Sequence, residues 1–188
     1  AGVTVADGIT IDSSGGDVTV VANTGGDSGA IIIEASDGQT ITIGNNVEIY
    51  AEGGSSTDAG TGGDAANNGG GFPYTIQIGT EASTTAIDVG TDVIMSADGG
   101  AGFVADGATG TIFYGGAITL DGESDYIGDT GFGGDVTLAS NSEIRVDGTL
   151  TFEATVDGQA NDLLLSVSDI DIQAIFIDIP VFTLTGFA

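Results

Sequence analysis

The chain of 188 residues carries 28 acidic side chains and one basic side chain, so its formal net charge is −27. Nucleic acid is excluded in practice as a partner, because nucleic-acid binders neutralise phosphates with clusters of Lys and Arg, and anionic membrane surfaces are disfavoured for the same reason. The absence of cysteine excludes disulfides and thiolate metal sites, and no apolar run approaches the roughly 20 residues that a membrane span needs.

Short triplets of the form apolar-x-apolar recur along the chain. The first and third side chains of such a triplet point to one face of a strand, and the middle one points to the other face. Residues 30–53 contain three triplets separated by polar turns, which is typical of one coil of a β-solenoid. In chain order the triplets begin at Val3, Ile9, Val18, Ile31, Ile41, Val47, Ile76, Ile87, Val93, Phe103, Ile112, Ile118, Val136, Ile144, Leu150, Leu163, Ile170 and Ile177.

Taken three at a time, these triplets predict an all-β parallel β-helix of about six three-strand coils over residues 1–179, with residues 180–188 as a C-terminal strand or assembly tail. The triplet spacing within a coil is nearly constant, whereas the connection to the next coil varies. The length variation therefore lies at one Gly/Asp-rich corner, as stacked repeats allow. An antiparallel sandwich is the alternative, but the long connection 53–73 is unlike a hairpin.

Two segments rich in Gly, Asp and Thr, residues 133–139 and 151–158, carry a family resemblance. They resemble the coils of secreted bacterial surface proteins of the filamentous-haemagglutinin and adhesin type, whose members form right-handed parallel β-helices. The resemblance implies a secreted, extracellular protein at the cell surface with a non-catalytic role.

Carboxylates and glycines concentrate at the variable corner. Glycine permits tight turns that bring carbonyl groups inward, and Asp supplies hard oxygen ligands, so the combination suits Ca²⁺. The candidate calcium ligands are Asp27, Asp58, Asp64, Asp98, Asp125, Asp129 and Asp135. No stretch matches the EF-hand loop or the RTX nonapeptide, and a solvated acidic surface is the alternative to bound calcium.

The predicted function is structural rather than enzymatic. Pectin-degrading β-helix enzymes depend on basic side chains, and this chain has only Arg145. We therefore expect a subunit or segment of an extracellular fibre, surface layer or adhesin that forms a homo-oligomer or filament through its solenoid ends or a terminal strand. The alternatives are a carbohydrate-binding adhesin module, with a glycan or cell-surface ligand, and an ice-binding solenoid, although the predicted rows of outward Thr are interrupted.

Two further predictions test the alignment of the coils. Arg145 and Asp171 occupy the same position in consecutive predicted coils, so an ion pair between them is expected at the strand spacing of about 4.8 Å. The middle residues of the triplets should face outward, and among them the apolar ones could form a patch for another subunit. These outward apolar residues are Ile32, Ile94, Val104, Phe113 and Leu164.

Overall fold

The computed structural model describes residues 2–19, 23–57, 59–65, 74–80 and 84–186. Within these ranges the chain forms 18 β-strands and no helix, so no described helix could cross a membrane. The strands are β1 (Val3–Val5), β2 (Thr10–Asp12), β3 (Ile31–Ile33), β4 (Thr40–Ile43), β5 (Glu48–Tyr50), β6 (Ile76–Ile78), β7 (Ala86–Val89), β8 (Val93–Ser96), β9 (Thr111–Tyr114), β10 (Ala117–Leu120), β11 (Glu123–Ile127), β12 (Asp129–Phe132), β13 (Val136–Leu138), β14 (Ser142–Phe152), β15 (Val156–Asp157), β16 (Leu163–Ile172), β17 (Phe176–Ile177) and β18 (Phe182–Gly186).

Successive strands fall on three tracks, within which every pairing is parallel. Track 1 is the seven-stranded sheet β1-β4-β7-β10-β13-β15-β17. Track 2 runs β2-β5-β8-β11-β14-β16-β18, and track 3 runs β3-β6-β9-β12-β14-β16. One repeat of the chain thus contributes a strand to each track, and repeat 1 is β1 to β3. The result is a solenoid-like fold of parallel strands.

Strands β14 and β16 belong to two tracks. The first half of β14 pairs with β11 on track 2, and its second half pairs with β12 on track 3. The pairing of β14 with β16 shifts register between Val146 and Thr149, where the chain turns the corner. Tracks 2 and 3 are therefore joined into one strongly curled sheet.

Inward side chains of the tracks form a continuous apolar core. In β4, Ile41 and Ile43 are buried while Thr42 between them is only half-buried. In-register pairing then places Ile41 beside Ile87, and Ile87 beside Ile118. The β-branched residues that dominate these short strands suit such a pleated, half-buried surface. The core of the first repeats is accordingly aliphatic.

Later repeats fill track 3 of the core with aromatic rings. Tyr114 stacks on Phe132 at 5.1 Å between ring centroids, and Phe132 stacks on Phe152 at 5.3 Å. The phenol hydroxyls of Tyr114 and Tyr126 lie 3.1 Å apart, and both rings are buried. Burial raises the pKa of both phenols, which stay neutral at ordinary pH.

Most predicted triplets are strands, but part of their alignment is wrong. The triplet at Phe103 is not a strand, and its residues Phe103 and Val104 are largely exposed. Strands β11, β12 and β15 were not predicted, because β11 and β12 place Ser124 and Thr130 inward and β15 has only two residues. Strand β1 also pairs with β4 rather than with β3.

The predicted ion pair between Arg145 and Asp171 is wrong for the same reason. Arg145 lies beside Ser166 in the next repeat, whereas Asp171 lies beside Thr151 on another track. Misassigned strands between Phe103 and Val156 shift the alignment by one track. The C-terminal segment, which had no assigned partner, pairs along β18 with the first half of β16.

Candidate functional site

The variable corner lies between tracks 2 and 3 of the first three repeats. There the chain leaves track 2, runs outward and returns to track 3. We call the described parts of these excursions the glycine lobe: residues 13–19, 23–30, 51–57, 59–65 and 97–110. We call the segments that leave track 2 the outgoing legs, and those that return to track 3 the returning legs. The outgoing legs lie parallel, because Val18 is bridged to Ser56 and Ser56 to Gly102. Thr61 is bridged to Ala105 on the returning legs.

Backbone hydrogen bonds between glycines connect the two layers of the lobe, one formed by the outgoing legs and the other by the returning legs. Each N–H donates to the carbonyl of a glycine on the opposite layer, at 2.7–2.9 Å. The donors and acceptors are Gly26 to Gly16, Gly54 to Gly26, Gly63 to Gly54, Gly100 to Gly63 and Gly107 to Gly100. A Cβ atom on Gly53 would fall within overlap distance of the Gly63 carbonyl oxygen, so only glycine allows this approach.

The legs also bond to the next repeat at every third residue. Gly15 and Val18 donate to the carbonyls of Glu52 and Ser55, at 2.7 and 2.8 Å. The returning leg repeats the spacing, because Gly25 and Ser28 donate to the next returning leg at 3.0 Å. A three-residue period is typical of the polyproline II conformation, which makes no internal hydrogen bonds. The lobe is thus held by backbone contacts between legs.

Carboxylates of the lobe accept backbone N–H groups from the next repeat. Asp27 Oδ1 accepts the N–H of Asp64 at 2.9 Å, and Asp64 Oδ1 accepts the N–H of Ala108 at 2.8 Å. Asp17 accepts the N–H of Ser55 at 2.7 Å in the same way. The structure therefore brings the predicted calcium ligands Asp27 and Asp64 together and uses one oxygen of each as a structural acceptor.

The other predicted calcium ligands are dispersed. Asp129 and Asp135 accept the N–H groups of Thr149 and Thr155, at 2.9 and 3.1 Å. Asp129 lies at the corner between tracks 2 and 3 of the fourth repeat, beyond the glycine lobe, and Asp135 lies at the corner between tracks 3 and 1. Asp98 is exposed on an outgoing leg, and Asp58 lies outside the described residues. Within the described ranges no group of three or more acidic side chains could hold a metal ion. Calcium binding stays a prediction.

Asp125, the remaining candidate, belongs to a cluster around Arg145. The guanidinium contacts Asp125 through Nε and, at 2.9 Å, through Nη2, and it lies 3.5 Å from Glu123 and Glu143. The hydrogen bond to Asp125 raises the pKa of Arg145 further above its ordinary value. The chain's single cation thus offsets carboxylates on β11 and β14.

A further acceptor ladder follows the corner between tracks 1 and 2. Asp7 Oδ1 accepts the N–H of Asn45, Asn45 Oδ1 accepts the N–H of Thr91, and Thr91 Oγ1 accepts the N–H of Glu123, at 2.9–3.3 Å. Sequence reasoning missed this ladder. Its signal is a short polar residue shortly after each track 1 strand, recognisable only once the strands are correctly aligned.

Two aromatic rings lie on the outer face of track 3, and we call them the Tyr74–Phe113 platform. The rings are 4.2 Å apart and nearly parallel, at 8°. Phe113 points away from the core, as predicted, but it is buried under neighbouring groups. Its ring extends over Gly131 and Gly133, where a Cβ atom on Gly133 would lie 2.7 Å from Phe113 Cζ.

A shallow cavity of about 290 Å³ adjoins the platform. It spans four repeats, since Tyr74 precedes β6 while its other walls come from β9, β12 and β14. Its polar lining comes from hydroxyls and carboxylates. These lining residues are Thr111, Asp129, Thr130, Thr149, Thr151 and Glu153.

Track 1 carries a row of threonines on its outer face. The register places Thr4, Thr42, Asp88, Thr119 and Thr137 side by side on consecutive repeats. In the predicted coils the outward residues that follow Asp88 are Phe113 and Arg145, which lie on tracks 3 and 2, so the predicted row mixed tracks. The observed row is interrupted only by Asp88 over these five repeats.

Comparisons of the chain with protein-family models, with curated proteins and with solved structures find no match. The resemblance to filamentous-haemagglutinin and adhesin-type proteins therefore receives no support from a family match.

Proposed function

We propose that the chain is a structural parallel β-helix, a non-catalytic segment of an extracellular fibre, surface layer or adhesin. In this proposal the three tracks close around the core. Repeats β1–β3 to β15–β16 then make six complete coils, and β17 and β18 begin a seventh. The continuous parallel register supports this arrangement, and so does the single core cluster that extends from β1 to β17.

The exposed apolar end of the last repeat carries the proposal of self-association. Ile175 is 69% exposed and Val181 is 53% exposed, whereas Ile31 and Ile33 in the first repeat are only 8% exposed. Strand β18 pairs with β16 on one side only. An exposed apolar surface next to an unpaired strand edge favours the addition of another strand. Association at this end would form a homo-oligomer or filament.

The test is negative-stain microscopy together with light scattering over a range of protein concentrations. We expect assemblies that grow with concentration and that Ile175→Lys combined with Val181→Lys disrupts. The matched control is Phe103→Lys, because Phe103 is 76% exposed but lies in the glycine lobe. A chain that stays monomeric at high concentration, or a control that disrupts assembly equally, contradicts the proposal.

Ice binding is a second candidate, favoured by the threonine row of track 1. Strand pairing spaces these hydroxyls regularly, about 4.8 Å apart. If the row binds ice, Asp88→Thr should strengthen inhibition of ice recrystallisation and Thr119→Lys should weaken it. Equal behaviour of both variants and the unmodified chain would remove this candidate.

A further inference from the structure

The Tyr74–Phe113 platform lies apart from the hydrophobic core. Its neighbours in β9, Ile112 and Tyr114, belong to the core cluster, whereas Phe113 is buried without belonging to it. Its two rings therefore pack on the outside of the curled sheet. Gly131 leaves room there, because a Cβ atom at this position would lie 3.3 Å from Phe113 Cδ2. Phe113 thus supports the half-buried ring of Tyr74 on the outer face of the sheet.

Polar groups beside the platform offer both donors and acceptors. Thr149 and Thr151 lie on β14 beside Asp129 and Gly131 of β12 in the preceding repeat. Their hydroxyls can both donate and accept hydrogen bonds. Asp129 Oδ1 accepts the N–H of Thr149 at 2.9 Å, which orients the carboxylate at the edge of the cavity. The exposed Glu153 adds a second carboxylate. A lining of aromatic and apolar groups with a few polar groups is the usual composition of a small-molecule site.

The charge and the lining of the cavity limit the classes of ligand that it could bind. A net charge of −27 disfavours anionic ligands such as acidic sugars. Quaternary ammonium groups are usually enclosed by several ring faces. Here Phe113 is buried beneath the stacked ring of Tyr74, so Tyr74 alone offers an aromatic face. A sugar ring combines an apolar C–H face with hydroxyls at its rim, and it matches an aromatic surface bordered by Thr, Asp and Glu.

We propose that this cavity binds a neutral hexose or N-acetylhexosamine ring of a glycan chain. The ring's C–H face lies against Tyr74, and its hydroxyls bond to Asp129, Thr149 and Glu153. Because the lining residues come from four repeats, an oligosaccharide makes more contacts than a single sugar. This site is independent of self-association at the last repeat, so the two proposals fail separately.

Calorimetric titration of the intact chain with cellohexaose, chitohexaose and mannohexaose tests the proposal. We expect at least one of them to bind, and Tyr74→Ala to weaken binding at least about tenfold, which corresponds to about 1.4 kcal/mol. Tyr74→Phe keeps the ring and should bind within about threefold of the unmodified chain. The matched control is Tyr50→Ala, because Tyr50 is a half-buried outward tyrosine on track 2.

A second pair of variants removes a carboxylate without disturbing the rings. Glu153→Gln should weaken binding several-fold, whereas Glu34→Gln should not, because Glu34 is an exposed residue that follows β3 at the same position of track 3, four repeats away. Failure of all three oligosaccharides to bind overturns the proposal. Equal losses in Tyr50→Ala and Tyr74→Ala overturn the location, and binding of tetramethylammonium without any oligosaccharide overturns the ligand class.

Discussion

The glycine lobe and the aromatic stack hold consecutive repeats together in opposite ways. In the lobe the contact surface is backbone, and consecutive repeats approach so closely that the N–H of Gly54 donates to the carbonyl of Gly26 at 2.7 Å. In the stack the contact surface is side chain, and Phe132 and Phe152 lie 5.3 Å apart in a buried core. One fold therefore combines a hydrogen-bonded lattice with a hydrophobic core.

The two regions differ in what folding must overcome. Ordering each backbone residue costs about 1–2 kcal/mol, and glycine loses the most conformational freedom. The aromatic stack offsets this cost by burying large apolar surfaces. The lobe buries few apolar side chains, so its hydrogen bonds and its attachment to tracks 2 and 3 must stabilise it. We expect the lobe to open more readily than the core.

The largest loss of stability is expected from a substitution in the aromatic stack, which consists of Tyr114, Phe132 and Phe152. Phe152 is buried between Phe132 and Phe176. Phe152→Ala should therefore lower the free energy of unfolding by about 3–5 kcal/mol, through lost burial and the resulting cavity. Denaturant unfolding measures this change. Phe103→Ala is the control, and a loss below about 1 kcal/mol for Phe152→Ala would show that the stack contributes little.

A Cβ atom should be poorly tolerated inside the lobe and tolerated at its surface. Gly53→Ala places the new atom against the Gly63 carbonyl, and overpacking of this kind costs about 1–3 kcal/mol. Gly16→Ala is the matched control, since its Cβ would have no atom within 4 Å. Amide hydrogen exchange should show lost protection in the lobe, but not in β14, for Gly53→Ala alone. Equal exchange in both variants would contradict the lattice of close backbone contacts.

The carboxylate acceptors of the lobe should have a smaller effect. Asp64→Ala removes the acceptor of the Ala108 N–H and should cost about 0.5–1.5 kcal/mol. Asp64→Asn retains an acceptor oxygen and should recover most of that loss. Asp98→Ala, at an exposed position, should change stability by less than about 0.5 kcal/mol. A loss for Asp64→Asn as large as for Asp64→Ala would indicate that charge, rather than the hydrogen bond, is required.

The smallest change in stability is expected from removing calcium at the variable corner. If Asp27 and Asp64 contribute to a calcium site, EGTA at constant ionic strength should lower the melting temperature by about 2–4 °C for each kcal/mol of binding energy lost. Exchange in the lobe should increase first. An unchanged melting temperature and unchanged exchange would leave these carboxylates as acceptors of backbone N–H groups only.

Local pattern predicted the strands with two aliphatic inward residues. Ile41–Ile43 and Ile87–Val89 were found because alternation of β-branched and polar residues has one simple structural meaning. Strand β11 was missed because its inward residues are Ser124 and Tyr126, which do not form an apolar triplet. Asp27 and Asp64 were correctly placed at the variable corner, but their hydrogen bonds depend on the next repeat.

By itself, the sequence determined the all-β class, the acidic surface and the location of the glycine-rich corner, because these follow from composition and local periodicity. Only the tertiary structure decided which strands are neighbours, since the unpredicted strand β15 shifts the predicted partner of Arg145 in the next repeat from Ser166 to Asp171. It also decided the pairing of Tyr74 with Phe113 and of Gly54 with Gly26. Which residues of different repeats become neighbours depends on the length of each excursion. No local sequence pattern encodes that length.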